Sequence, residues 1–245
     1  MKLLDATFAT PAENLACDEA LLDGCEERGE ETLRFWESHV PFVVVGYGNK
    51  VENEVNVTAC RERNIAVLRR CSGGGTVVQG PGCLNYAVTL RIHEHGPLAN
   101  VSGTNRFVME QNRAAIETLV DSRVTIQGYT DLAVEAGRAG DNTARLLKFS
   151  GNAQRRRRCA VLFHGTILHA FDLTLIQTLL IMPSKQPEYR NSRAHEEFVT
   201  NFPVSADAIR KAFCAAWKVR TTASPPAITS RLLEKYSRGD WHRTP

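Results

Sequence analysis

The chain of 245 residues has no apolar run near the roughly 18 to 20 residues that a bilayer-spanning helix needs. Its start, Met1-Lys2-Leu3-Leu4-Asp5, turns acidic before a secretory apolar segment could form, so the expected compartment is the cytoplasm. No C-x-x-C pair occurs. Seven cysteines, an odd number, lie scattered at 17, 25, 60, 71, 83, 159 and 214, which argues against a disulfide framework or a zinc site. Internal repeats and low-complexity tracts are absent. Neither G-x-G-x-x-G nor G-x-x-x-x-G-K-[ST] is present, so a dinucleotide fold and a P-loop are not expected. Charge of one sign is also scarce: 30 Lys+Arg against 27 Asp+Glu leave +3. That is too little to require nucleic acid, though it suits an acidic protein partner.

What is present is the composition of an ordinary globular protein, 43% hydrophobic, able to bury one large core. Thr10-Pro11-Ala12-Glu13 combines a capping box with proline at the first helical position and predicts a helix to about Glu27. Strands are expected at 33–36 and 41–45, separated by a short turn, then at 65–70, 76–79 and 84–92. A helical spacing carries Val108, Ala115 and Leu119 between 104 and 120. Strands follow near 123–127, 131–135, 145–149 and 160–168, with Gly137 to Asn142 a polar hairpin tip. Asp172 starts a helix that Pro183 stops. Ser205 caps another, whose Ile209, Ala212, Phe213, Ala216 and Trp217 form one apolar stripe. After the break at Ser224-Pro225-Pro226, a last short helix is expected at 231–236. The fold class this implies is α/β of the α+β type: a mixed, largely antiparallel sheet flanked by helices. Residues 1–202 form the main domain and 203–245 a short helical extension packed on it.

Two motifs carry chemistry. In Arg69-Arg70-Cys71-Ser72-Gly73-Gly74-Gly75-Thr76, three glycines let the backbone approach a ligand and form an anion-binding concavity. Strand alternation sends Arg69 and Arg70 to opposite faces, and Arg70, beside the loop, is the one assigned to the ligand. Further on, Lys148-Phe149-Ser150-Gly151-Asn152-Ala153-Gln154 sets a lysine beside small, turn-forming residues. Together these suit a carboxylate and a phosphate.

Both elements, with His164-Gly165-Thr166 and with support from Leu33-Arg34-Phe35-Trp36 and Thr130-Asp131-Leu132, resemble the signatures of the lipoate-protein ligase family. The resemblance spans roughly residues 1–202. It implies that lipoate or octanoate is joined to ATP, that pyrophosphate leaves, and that the acyl-adenylate passes its acyl group to a lysine of an acidic lipoyl-acceptor domain. Lys148 is then the catalytic cation, bridging carboxylate and α-phosphate as charge builds. Arg70, Ser72, Gly73, Gly74 and Gly75 hold adenylate or carboxylate, joined by Gln79, Cys83, Asp131, Ser150, Gly151, Asn152, Ala153, Gly165 and Thr166. His164 lines the pocket rather than serving as base. Arg155 meets the nucleotide, unless the four-arginine run 155–158 is only a solvated turn. Mg²⁺ accompanies ATP through phosphate oxygens and water, with Asp131 the acidic side chain nearest that role and no dedicated metal site. Trp36, Val43, Val45, Val77 and Tyr86 are expected tunnel walls for the acyl chain. The polar stretch 183–190 reads as a lid, an acceptor-docking loop or an ordered surface loop.

The pattern breaks in two places. Ligases of the family show His-Asp and then Gly-Asn after the glycine loop, where this chain has Gln79-Gly80 and Gly82-Cys83. They also carry a larger C-terminal accessory domain, for which the roughly 40 residues after Phe202 are too few; a separate polypeptide could supply it. Two rivals follow. One is an acyltransferase that works without ATP through a thioester on Cys83 or Cys71, which would require a lowered thiol pKa. The other is a module that binds lipoyl groups without adenylation.

Overall fold

The computed structural model describes residues 1–136, 145–183 and 185–243; the expected hairpin tip at 137–142 lies outside them. In chain order the elements are β1 (Lys2–Asp5), α1 (Pro11–Arg28), β2 (Thr32–Trp36), β3 (Phe42–Val45), α2 (Val57–Glu62), β4 (Ala66–Arg69), β5 (Val77–Gln79) and β6 (Cys83–Arg91). Then come α3 (Val101–Glu117), β7 (Val124–Gln127), β8 (Asp131–Ala136), β9 (Arg145–Arg156), β10 (Ala160–Leu168), α4 (Thr174–Leu179) and α5 (His195–Phe198). The chain closes with α6 (Ala206–Ala216), β11 (Thr221–Thr222), α7 (Ser230–Ser237) and α8 (Gly239–Arg243). The α1 capping box forms as its sequence dictates, with Thr10 and Glu13 bonding reciprocally, and Gly29 ends the helix at φ 70°.

An eight-stranded sheet runs β11-β1-β2-β6-β10-β9-β8-β7, parallel only where β1 meets β2 and β11. A second sheet runs β4-β3-β5. The strands at 33–36 and 41–45 therefore do not pair with each other: β2 joins the large sheet and β3 the small one. Phe42–Val45 reads Phe-Val-Val-Val and is buried throughout. A run that is apolar on both faces carries no alternation to say which sheet it enters.

Layers cover both faces of the large sheet. On one, α3 and α6 bury Val108, Met109, Ile209 and Phe213 against Phe35, Val88 and Phe163. On the other, α1 sets Leu22 and Cys25 against Ala87 and Leu162, and the small sheet closes the remainder. After residue 202, β11 adds a parallel edge strand to β1, and α7 lies along α1, where Lys235 and Tyr236 both bond Glu19.

One buried chain of polar bonds crosses the first layer. Trp217 donates its indole N–H to Asn112 Oδ1 at 2.9 Å, Asn112 donates to the Tyr86 hydroxyl at 2.7 Å, and that hydroxyl donates to Asn152 Oδ1 at 2.5 Å. Every member is a buried or half-buried group whose partner cannot be replaced by bulk water. Trp217→Phe keeps the ring and deletes only the first donor. Chemical denaturation is expected to show a loss of about 1–3 kcal/mol; unchanged stability would remove the chain from the account of the fold.

Candidate functional site

A cavity of about 1020 Å³ lies between the large sheet, the small sheet and the segments 181–183 and 185–199. Its floor is a single cross-strand row. Trp36 on β2 is paired with Asn85 on β6, Asn85 with Thr166 on β10, Thr166 with Gly151 on β9, and Gly151 with Asp131 on β8. Directly opposed residues share a face, and all five line the cavity.

Lys148 enters this row by a break in register. A regular strand would place it with Ser150 and Asn152, on the face opposite Gly151. Instead the β8–β9 pairing shifts: Leu132 opposes Ser150 while Ala133 opposes Lys148, leaving Phe149 as the extra residue. The bulge turns Phe149 into the core, where it stacks on Phe202, and carries the lysine across. Its chain then passes over Gly151, where an added Cβ would lie 2.9 Å from Nζ. There Nζ pairs with Asp131 Oδ1 at 2.7 Å, and Tyr189 donates its hydroxyl to the other Asp131 oxygen. Glycine at 151 is thus the condition for the lysine to lie in the cavity.

Gly165 has the same kind of reason. An added Cβ there would fall 1.7 Å from Asn152 Oδ1. The Asn152 amide fills that space, donates to Thr130 O and Ser150 Oγ, and accepts from Tyr86. Asn152 also takes the Thr130 hydroxyl on its carbonyl. It spends its bonds on protein and locks β9 to the loop before β8.

The glycine loop is tied down by Arg70. The guanidinium donates to Gly73 O at 2.6 Å, Gly75 O at 2.7 Å and Ser72 Oγ at 3.0 Å. Burial lowers its pKa to about 10, which leaves it charged at neutral pH. Gly74 sits at φ 84°, and its carbonyl lies only 2.1 Å from where a Cβ on Gly46 would be. Arg69 points the other way, bonding Gly46 O, Tyr47 O and Asn49 O and the carbonyls of Trp241 and His242.

Beneath the loop runs a second buried line. Ser72 Oγ is 2.5 Å from His164 Nε2, His164 Nδ1 is 3.2 Å from Asp18 Oδ2, and Asp18 Oδ1 is 2.5 Å from Arg34 Nη1. Burial alone would raise the Asp18 pKa, but Arg34 and His164 outweigh it and hold the carboxyl below its ordinary value. An ionised Asp18 takes the Nδ1 proton and leaves Nε2 to accept from Ser72.

Several expected site residues stand elsewhere. Ser72 and Cys83 are wholly buried and, like Gly73, do not line the cavity. Val43 and Val45 belong to the second core, while Trp36, Val77 and Tyr86 do reach the wall. Arg155 does not line it; its guanidinium stacks on Tyr47, 5.3 Å from the ring centroid. The arginine run is half strand and half turn, with Arg157 and Arg158 in the β9–β10 connection. β9 continues to Arg156, which bonds Thr104 and Leu98, and Arg157 reaches Asp23. Burial raises the Cys71 and Cys83 thiols to about 12, so neither is a thiolate, and no cysteine among the described residues lines the cavity. Asp18 and Gly46 escaped sequence reasoning, and Arg34 and Tyr189 entered it only within longer stretches, with no role of their own. The available signal was Asn14 and Asp18, polar residues one turn apart within the buried run of α1.

A family model described as the lipoyl protein ligase A/B catalytic domain matches residues 10–215. A protein of Aeropyrum pernix named for lipoate-protein ligase A is 31% identical over 179 residues, 73% of this chain and 61% of its own length. The chain thus spans about three fifths of that relative. The octanoyltransferase LipM of Oceanobacillus iheyensis is 26% identical over 224 residues, 86% of this chain and 81% of that one. Two solved structures share the fold at 23% identity. One is a bi-partite lipoate protein ligase studied with its E2 lipoyl domain from Thermoplasma acidophilum, at TM-score 0.80 and covering 99% and 95% of the two chains. The other is a lipoate-protein ligase A bound with ATP, at TM-score 0.79 and covering 99% and 98%.

The Asp18–Arg34 pair makes a pH-dependent claim. Its folded pKa is depressed, so the stabilisation is full above about pH 4 and is lost as the pH falls through the lowered value. Asp18→Asn strands a buried guanidinium. It is expected to lose about 3–5 kcal/mol at neutral pH, with the gap to the parent closing below about pH 4 in acid-unfolding curves.

Proposed function

Because the chain belongs to the lipoyl protein ligase A/B catalytic domain family, we propose that it activates lipoate or octanoate with ATP and transfers the acyl group to a lipoyl domain. The observation that carries this reading is Lys148, brought over Gly151 by the bulge so that a cation stands in the cavity with one carboxylate partner. In the first step the acid's carboxylate oxygen attacks the α-phosphorus, the bond to the β-phosphate oxygen breaks, and pyrophosphate leaves. Two anions must approach each other, and Lys148 stabilises the charge they share. The Arg70-bound glycine loop closes the wall beside it. In the second step a lysine amine of the acceptor attacks the acyl carbon, and AMP departs with the bonding pair.

Mg²⁺ would be carried by the phosphates of the nucleotide and would offset their charge. Asp131 is already engaged by Lys148 and Tyr189, and no cluster of three metal-ligating side chains occurs among the described residues. That donor set fits a cation held by phosphate oxygens and water rather than by a protein cage. The acceptor is an acidic lipoyl domain, drawn by the exposed Lys50 and Lys185 at the cavity wall. The two-part relative supports an accessory polypeptide as a further partner, and the reaction runs in the cytoplasm.

The transferase reading has support in the LipM relatives, but it needs a thiolate. Cys71 and Cys83 are buried with raised pKa values, which favours the ligase. A module that only binds lipoyl groups has little use for a cation placed by a bulge. Mixing the protein with Mg-ATP and lipoate or octanoate is expected to release pyrophosphate, and Lys148→Gln to slow release by about 10²–10³-fold at unchanged melting temperature. Full activity in that variant, or transfer of a preformed octanoyl group without ATP, would overturn the assignment.

A further inference from the structure

We propose that the acceptor protein docks on an apolar rim at the cavity mouth, anchored by Tyr129 with Ile181 and Met182; this rests on the ligase reading above. Tyr129 is the middle residue of the β7–β8 turn and is 89% exposed, and the other two are 40% and 44% exposed. A ring so exposed contributes almost nothing to the fold, yet the turn that carries it is held at both ends. Gly128 stands at φ 54°, where an added Cβ would lie 3.3 Å from Pro187 Cβ and 4.0 Å from the Tyr189 ring. On the other side, Thr130 is bonded to Asn152 through both its hydroxyl and its carbonyl. A turn fixed in this way presents its aromatic side chain to a partner with little left to order on binding.

The rim is continuous. Beyond Tyr189 the chain reaches Arg190, whose guanidinium donates to Met182 Sδ at 3.3 Å, so the stretches 181–182 and 187–190 lie side by side next to the turn. Single exposed apolar residues are ordinary, but an aromatic and a methionine gathered with an isoleucine on one wall of a cavity have the composition of an interface. Position then names the occupant. Asp131, which holds Lys148 Nζ at 2.7 Å, is two residues from Tyr129, at most about 7 Å of chain. A lysine side chain, four carbons and a nitrogen long, covers most of that distance from a protein seated on the rim. The acceptor is also the one reactant too large to enter the cavity, so its amine has to cross this mouth to reach the acyl carbon. Charge agrees with an acidic partner: of the exposed charged side chains that line the cavity, Lys50 and Lys185 outnumber Glu188.

Binding and chemistry are measured separately. Calorimetric titration of the full chain with an unmodified lipoyl domain is expected to show an affinity at least about tenfold weaker in Tyr129→Ser, and weaker again in Tyr129→Ser/Met182→Ser. Pyrophosphate released from Mg-ATP and lipoate before any acceptor is added is expected to be the same in Tyr129→Ser as in the unaltered protein. Val101→Ser removes an exposed apolar side chain that does not line the cavity, and is expected to change neither readout. Undiminished affinity in the rim variants, a loss that Val101→Ser shares, or no binding by the unaltered protein would each overturn the proposal. Rim variants that dissociate a self-associated parent in sedimentation, while binding the domain as before, would overturn it in favour of a second copy of this chain. If no protein releases pyrophosphate yet binding still depends on Tyr129, the ligase reading fails and the docking surface stands.

Discussion

The buried ion pair between Asp18 and Arg34 is the constraint on which the site's construction depends. Arg34 also donates to Asn14 O, Asn14 Oδ1 and Ala6 O, so it pins the start of α1 to β2. Through Asp18 the pair orients His164; through His164 it fixes Ser72; through Ser72 and Arg70 it reaches the glycine loop. A buried pair of this kind contributes little net stability against an apolar replacement, yet losing one partner is costly. Its value here is positional. The line has the outward form of a serine nucleophile with its base and orienting acid, but Ser72 is closed off from the cavity, so the same geometry serves as a strut.

Much of the fold could be read from the residues. The α1 capping box, the α6 stripe and the β10 limits follow from local chemistry, and the mixed, largely antiparallel sheet flanked by helices is what the structure has. The limits are instructive where reading failed. Lys148 reads as the residue before a turn because Ser-Gly-Asn is turn-forming in isolation, yet β9 continues straight through it. Pairing on both sides, with β8 and β10, outweighs local preference. The bulge that places the lysine is a property of register between two strands, and register is not written in either strand alone.

The glycines divide along the same line. Three consecutive glycines announce a loop. Gly46 announces nothing, and Gly151 and Gly165 read as ligand-facing, yet each answers to an atom of the protein itself: the carbonyl of Gly74, the ammonium of Lys148 and the amide of Asn152. Likewise Asn152, which reads as a ligand-binding residue, is consumed by holding Thr130, Ser150 and Tyr86 in place. The cavity is built from reciprocal fits, in which most of the polar side chains around it hold one another in place.

The last turn of the chain bears on a hazard unrelated to chemistry. β4 is an edge of the small sheet, and such edges invite pairing with another copy. Here His242 Nδ1 accepts the Arg69 backbone N–H, and the Trp241 indole donates to the Arg69 carbonyl. Two aromatic side chains thus occupy hydrogen-bonding positions that a neighbouring strand would use. The helix α8 is thus a cover for this adhesive edge, made by two residues that do not line the cavity.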